Sequence, residues 1–304
     1  MTQSEVASRL GLSNSRAHRA IAKAHALGLV QVTVDAAAVS LCVELENAIA
    51  SQYGLTMCRV AMELPEQGEI PLRALGALGA EWFGDTISSG RHKLIGVSHG
   101  RTIAAAVEAM ARRDANGVAF VSLLGGLTRS LAANPYDVIH RLAQKTGGDA
   151  YLMPAPLFAD TPADKDVMLS QRILHEAFEK MGEATLNIVG IGDLATSAGL
   201  SVSALDGSSA VEDLRNAGAC AEILGQFIDA DGGVMNSPVD GRVMALPLEK
   251  LRDREVVAIA GGASKCTAIH AVLKSKLLTG LIIDEATARS LVERADGNGA
   301  VAAE

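Results

Sequence analysis

The sequence predicts an α/β protein in which a parallel sheet, covered by helices on both faces, follows a small helix-turn-helix head with a short wing strand. Three observations carry this expectation. From residue 55 onward, near-continuous apolar strands alternate with amphipathic helices, the pattern of a parallel sheet buried on both sides. Residues 2–34 are organised differently, as two short helices around a glycine turn. Charge divides along the same line: residues 1–35 set Arg9, Arg16, Arg19 and Lys23 against Glu5 and Asp35, a net +2 within a chain of net −8. A basic head on an acidic body suits a DNA-reading module joined to a domain that does not touch DNA.

The head comes first, over residues 1–36. Gln3–Arg9 reads as a short helix, with Val6, Ala7 and Leu10 on one apolar face; Gly11 breaks it and Leu12 packs the turn. Ser13 or Asn14 can cap a second helix running to about Leu27. Its inner side is thin and apolar (Ala17, Ala20, Ile21, Ala24), and its outer side is polar and basic. Such groups at the start of a recognition helix are what a major groove requires. Ser13, Asn14, Ser15, Arg16, His18, Arg19 and Lys23 are therefore the candidate DNA-contacting residues. Gly28 ends the helix, and Leu29–Val34 alternates as a wing strand.

Residues 37–54 form a connector helix ending at Gly54, whose stripe of Val39, Val43, Leu45, Ala48 and Ile49 must bury against the next domain or a second subunit. The α/β domain spans 55–295. Its strands are expected at Thr56–Met62, Lys93–Val97, Val118–Leu124, Tyr151–Met153, Thr185–Ile191, Glu255–Ala260 and Gly280–Ile283. Helices are expected at about 71–89, 101–113, 135–146, 164–181, 209–217, 263–275 and 284–294, with Glu222 in a further, moderately apolar helix. From Asp296 the chain reads DGNGAVAAE, a frayed, disordered tail over 296–304.

Composition narrows the function classes. Aromatic residues are 3% of the chain, too few for the stacking platforms of a single-strand binder. Cys42, Cys58, Cys220 and Cys266 show no C-x-x-C spacing, so no metal site is expected and the thiols read as reduced core residues of a cytosolic protein. No apolar run reaches about 18 residues and no export signal opens the chain, which points to the cytoplasm and away from the membrane.

In open α/β sheets ligands sit at the carboxyl ends of the strands, and three strand exits stand out. Gly96-Val97-Ser98-His99-Gly100-Arg101-Thr102 matches the G-x-S-x-G of a nucleophile elbow, and equally suits an anion cradle of backbone N–H groups and hydroxyls. A hydrolase needs a later acid and then a His; His140, His175 and His270 follow, none in a post-strand triad context. Gly261-Gly262-Ala263-Ser264-Lys265 places a cation at a helix start, suited to phosphate, carboxylate or carbonyl oxygen, or to a Schiff base. It is not a Walker A motif. The VGIGD run ending at Asp193 lacks the third glycine of a dinucleotide fingerprint, so no cofactor is expected; Gly190 and Gly192 read as positions of close packing.

Taken in order, these segments resemble the SorC family of sugar-binding transcriptional regulators, sometimes called DeoR-like. The segments that carry the resemblance are TQSEVASRLGLS, GLVQVTV, IGVSHGRT, LLGGL, LMPAPLFAD, NIVGIGDL, GACAEILGQFIDADG and VVAIAGGASKCTAIHAVLKSKLLTGLIIDEATA. The resemblance implies a winged helix-turn-helix joined to a Rossmann-like effector domain related to sugar-phosphate isomerases and deaminases. It implies homotetramers that bind operator DNA, control carbohydrate or polyol catabolism, and respond to a sugar, polyol or sugar-phosphate effector. Carried over, it places Ser98, Gly100, Arg101 and Thr102 against the effector, Lys265 at its phosphate, carbonyl or hydroxyl end, and Gly125, Gly126, Asn134, Asp160 and Glu222 around the rest of the pocket. Two departures bear on it. Family members usually carry a further helix before the TQ segment, so part of the Val6 and Leu10 face is expected to be uncovered. His99 stands where the family often has an aromatic such as Trp. The AHRAIA wording of the recognition helix resembles that of regulators of polyol use. The competing readings are an enzyme acting on sugar phosphates through Lys265 or a carboxylate, and an esterase using Ser98; the DNA-reading head and the lack of a convincing acid/base pair argue against the first, and the want of a His in a triad context against the second.

Overall fold

The computed structural model describes residues 7–26, 36–127, 138–194, 208–237 and 239–301. Val6, the wing at Leu29–Val34 and Asn134 lie outside them. The chain divides into two compact units, Met1–Ser40 and Leu41–Glu304, so the division falls inside the connector helix.

In the first unit a left-handed Gly11 (φ +63°) closes the first helix, where Leu12 N–H donates to Ala7 O at 2.9 Å. Helix α1 (Asn14–Ala26) then starts from Ser13, whose carbonyl accepts the N–H groups of Arg16 and Ala17. Ala7 and Ala17 are buried and Leu10 is 64% exposed. Ala20, expected on the inner side, is exposed instead.

The second unit begins within α2 (Ala36–Tyr53) and is built on a seven-stranded sheet in the order β1-β10-β9-β5-β2-β3-β4, every pair parallel. The strands are β1 (Met57–Ala61), β2 (Leu94–Val97), β3 (Ala119–Ser122), β4 (Ala150–Tyr151), β5 (Leu186–Val189), β9 (Glu255–Ile259) and β10 (Gly280–Asp284). Each lies within, or one residue from, a segment whose apolar run predicts it. Alternate side chains feed two cores. On one face Ile95, Val97, Ile188 and Ile259 pack with Leu75, Phe83 and Ile87 of α3 (Leu72–Ser89), Ile103 and Val107 of α4 (Arg101–Ala109), and Leu142 of α5 (Ile139–Thr146). On the other, Val121, Val189, Ala258 and Leu281 pack with Leu45, Ile49 and Tyr53 of α2. The chain runs outward from β2 through β3 and β4, then returns to place β5 on the opposite side of β2. That reversal opens a crevice at the carboxyl ends of β2 and β5.

Three expectations are corrected. Glu222 is not helical: it lies on β7 (Ala219–Ile223), the middle of a small antiparallel sheet with β6 (Gly192–Asp193) and β8 (Gln226–Asp229). Leu224 (φ +55°) and Gly225 (φ +76°) turn β7 back into β8, a two-residue hairpin turn made without its usual Asn or Asp. The helix expected over 164–181 is two, α6 (Pro162–Ser170) and α7 (Arg172–Glu183). Ser170 Oγ donates to Val167 O and Gln171 N–H to Met168 O, so the last turn of α6 closes on itself and Gln171 is extended. After α8 (Ser208–Asn216) and α9 (Cys266–Lys274), the final helix α10 (Glu285–Val301) continues past Asp296, where a tail was expected. Glycines weaken a helix by about 1 kcal/mol without breaking it as proline does.

All four cysteines are free, and burial raises each thiol pKa, that of Cys58 to about 12.

Candidate functional site

The exits of β2, β5 and β9, all singled out by sequence, are neighbours at the centre of the sheet and meet in one cleft. Counted out into open solvent, the space between the exits is about 570 Å³. Ser98, His99, Gly100, Arg101 and Thr102 line one side, Gly190–Gly192 the floor, Lys265 the other side, and Glu222 and Leu224 reach in from the β7–β8 hairpin.

Two hydroxyls staple the exits together. Buried Ser98 Oγ accepts the Gly190 N–H at 3.1 Å and donates to His99 O at 3.3 Å, joining β2 to β5. Buried Thr102 Oγ1 donates to Ile259 O at 2.5 Å, joining the start of α4 to β9. The first turn of α4 opens at the cleft through Gly100, Arg101 and Thr102. N–H groups there have no acceptor within the helix and carry the positive end of its dipole, which favours an anion or an oxygen lone pair. His99 Nε2 lies 3.5 Å from Ser122 Oγ, whose hydroxyl donates to Leu124 O.

The β9 exit delivers Lys265 on a 3-10 turn (Ala263–Lys265) that runs into α9. Its Nζ donates to Ile191 O at 2.6 Å. Burial pushes the Lys265 pKa below the usual lysine value; Arg101 adds to that shift, and Glu222 and Asp193 oppose it. The loop has no slack. Gly262 sits at φ +103°, a conformation side chains rarely adopt, and a Cβ there would lie 2.7 Å from Glu69 O. A Cβ on Gly261 would collide with Asp284 Oδ2. That carboxylate oxygen accepts the Gly262 N–H at 2.8 Å and the Thr287 hydroxyl at 2.7 Å, while Oδ1 accepts the Thr287 N–H at 3.1 Å. Thr287 Oγ1 lies 3.0 Å from the same Gly262 N–H. Asp284 and Thr287 are buried and position the loop; neither was singled out by sequence. A signal existed: Asp284, directly after an apolar strand, caps α10 as an N-cap Asp does.

Glu222 is 5% exposed, and its Oε1 accepts the Gly225 N–H at 2.5 Å. It pairs in register with Gly192, whose missing side chain leaves room for Oε2. The cleft thus brings cations and N–H donors together with a buried carboxylate. That combination matches a ligand whose hydroxyls both give and receive hydrogen bonds.

Six of the ten expected ligand residues, Ser98, Gly100, Arg101, Thr102, Glu222 and Lys265, line this cleft. Gly125 and Gly126 instead dock the 154–158 loop: Gly126 N–H donates to Ala155 O, and a Cβ on Gly125 would lie 2.5 Å from Pro156 O. Asp160 is exposed and its carbonyl accepts Arg242 Nη1 at 3.2 Å, away from the cleft lining. In the first unit Ser13, Asn14, Ser15, Arg16, His18, Arg19 and Lys23 are all exposed.

Residues 37–293 match the Sugar-bind model of sugar-binding domains. Over 297 residues the chain is 48% identical to the erythritol catabolism regulatory protein EryD of Brucella abortus (strain 2308), covering 98% of this chain and 93% of that protein. It is 28% identical over 295 residues to the deoxyribonucleoside regulator of Bacillus subtilis (strain 168), covering 96% and 92%. The crystal structure of the full-length sorbitol operon regulator SorC from Klebsiella pneumoniae shares the fold, with a TM-score of 0.79 at 24% identity over 96% of this chain and 94% of that one.

Proposed function

This chain belongs to the SorC family of sugar-binding transcriptional regulators, and from that premise we propose that it controls sugar or polyol catabolism through an effector bound in the cleft. The observation that carries this reading is the convergence of Ser98, Thr102, Lys265 and Glu222, from four separate elements, on one cleft with both donors and acceptors. The effector is a sugar, polyol or sugar phosphate. Operator DNA is contacted by the exposed outer side of α1, with Arg16 and Arg19 near its start. Effector binding shifts the population between assemblies of different operator affinity. The protein acts without chemical turnover and works in the cytoplasm; none of its described helices is long and apolar enough to cross a membrane.

The working assembly is a homotetramer, with the apolar part of α2 left uncovered by the chain forming a subunit contact. Cys42, Leu45, Ile49 and Tyr53 of that helix are buried, whereas Val39 and Val43 are 38% and 47% exposed. Val43→Glu lowers the mass measured by light scattering; an unchanged mass for a folded variant removes α2 from the contact.

A thermal-shift screen against sugars, polyols and their phosphates tests the function directly. A ligand at 100 times its Kd adds about 2.7 kcal/mol of stability. The same ligand must change operator affinity. Multiple turnovers of a sugar phosphate or an activated ester, lost in Lys265→Ala or Ser98→Ala, would replace this reading with an enzymatic one.

A further inference from the structure

Resting on the reading of the cleft as the effector site, we propose that Tyr53 and His270 are positioning residues that couple Lys265 to the connector helix α2. Lys265 ends the 3-10 turn and directly precedes α9, so its backbone cannot move without moving the start of that helix. A ligand that takes up the Lys265 ammonium has to compete with Ile191 O, the carbonyl it now holds at 2.6 Å. Five residues further along α9, His270 Nδ1 lies 2.8 Å from Tyr53 Oη, and the two rings meet edge to face with centroids 5.9 Å apart. Tyr53 is the last residue of α2 and is buried. Just past α9, Lys276 Nζ donates to the Tyr53 carbonyl at 2.8 Å, so the end of α2 is gripped from within α9 and from the turn that follows it. Lys276 holds a left-handed backbone (φ +59°), a conformation that fixes where its side chain departs. A further polar tie from this part of α2, Val60 N–H to Glu46 Oε1, runs to β1 and involves no residue of the cleft.

The neighbouring apolar contacts of α2 can slide by small amounts; a hydrogen bond with one geometry cannot without breaking. The Tyr53–His270 bond is therefore the contact most able to carry a displacement of α9 into α2. Helix α2 runs unbroken from Ala36 to Tyr53, so a change at its end is a change in the connector helix itself.

Amide hydrogen exchange of the full-length chain tests this without effector or operator. Exchange is followed over Leu45–Tyr53 in four proteins: wild type, Lys265→Gln, Tyr53→Phe and the double variant. Lys265→Gln, which alters the hold on Ile191 O, changes exchange at the end of α2 by about threefold when Tyr53 is present, the scale of one lost hydrogen bond. In the Tyr53→Phe background the same substitution leaves α2 unchanged, while amides of β3 stay constant throughout. A merely structural Tyr53 gives the same Lys265→Gln response in both backgrounds, and that result overturns the proposal, as does an α2 that responds in neither. If Tyr53→Phe fails to fold, His270→Leu removes the same bond and takes its place under the same criteria. Failure here leaves the regulator reading standing, because that reading fails on ligand and operator binding.

Discussion

The two loops that face each other across the cleft are held in opposite ways. The β2 exit is fastened by neutral groups: Ser98 and Thr102 hydroxyls on backbone partners of β5 and β9. The β9 exit is fastened by a buried carboxylate, Asp284, which receives hydrogen bonds from Gly262 and Thr287 against a glycine pair with no room to shift. The difference follows what each loop presents. A helix start presents backbone dipoles that are already fixed by the helix. A lysine presents a charge on a flexible stem, and only a rigid base places that charge repeatably.

The comparison breaks hardest at Asp284. Asp284→Ala strands the Thr287 N–H and hydroxyl in the interior and leaves the Gly262 N–H only Thr287 Oγ1, at about 1–3 kcal/mol for each buried group left unsatisfied. Urea unfolding should show a loss of that order, with Asp284→Asn milder because it keeps one acceptor oxygen. A loss below about 0.5 kcal/mol for Asp284→Ala would mean the carboxylate does not hold the loop.

Gly262→Ala should follow, at about 1–3 kcal/mol, from a left-handed backbone combined with a clash at Glu69 O. The neutral side is predicted to be more forgiving. Ser98→Ala and Thr102→Val should each cost about 0.5–1.5 kcal/mol, the worth of one uncharged hydrogen bond. Equal losses at Asp284 and Ser98 would erase the contrast.

The smallest effect is a pH slope. Burial lowers the Lys265 pKa in the folded chain below the unfolded value of 10.5. Between the two values the unfolded chain binds the extra proton, so this group makes the fold more stable as pH rises through that alkaline window. Other groups titrate there with the opposite sign, Cys58 among them, so the difference between wild type and Lys265→Met isolates the slope. A difference independent of pH would contradict the burial of the amine.

Much of the architecture was legible because it depends on local pattern. Seven apolar runs became seven parallel strands, and the exits marked by Ser98, Gly190 and Lys265 proved adjacent. What was hidden depends on tertiary context. The β7–β8 hairpin reads as a helix because Ala, Glu and Leu favour one, and its turn hides in an unremarkable Leu224-Gly225 pair. Gly125 and Gly126 look like ligand glycines, yet they dock a neighbouring loop, since close approach to a backbone and to a ligand ask for the same residue. Asp284 sits on a different strand from the loop it holds, and no spacing rule links the two.

The proposal with the widest reach is that one cleft binds the effector while the head binds DNA. Its most direct test is operator binding by wild type, Ser98→Ala and Lys265→Ala, titrated with the ligand found by thermal shift. Both variants are expected to retain operator binding, with effector affinity weakened by about 0.5–1.5 kcal/mol for Ser98→Ala and about 1.5–3 kcal/mol for Lys265→Ala if the ligand oxygen it meets is charged. A neutral polyol shrinks the second loss towards the first. Undiminished effector response in both variants would place the effector site outside this cleft.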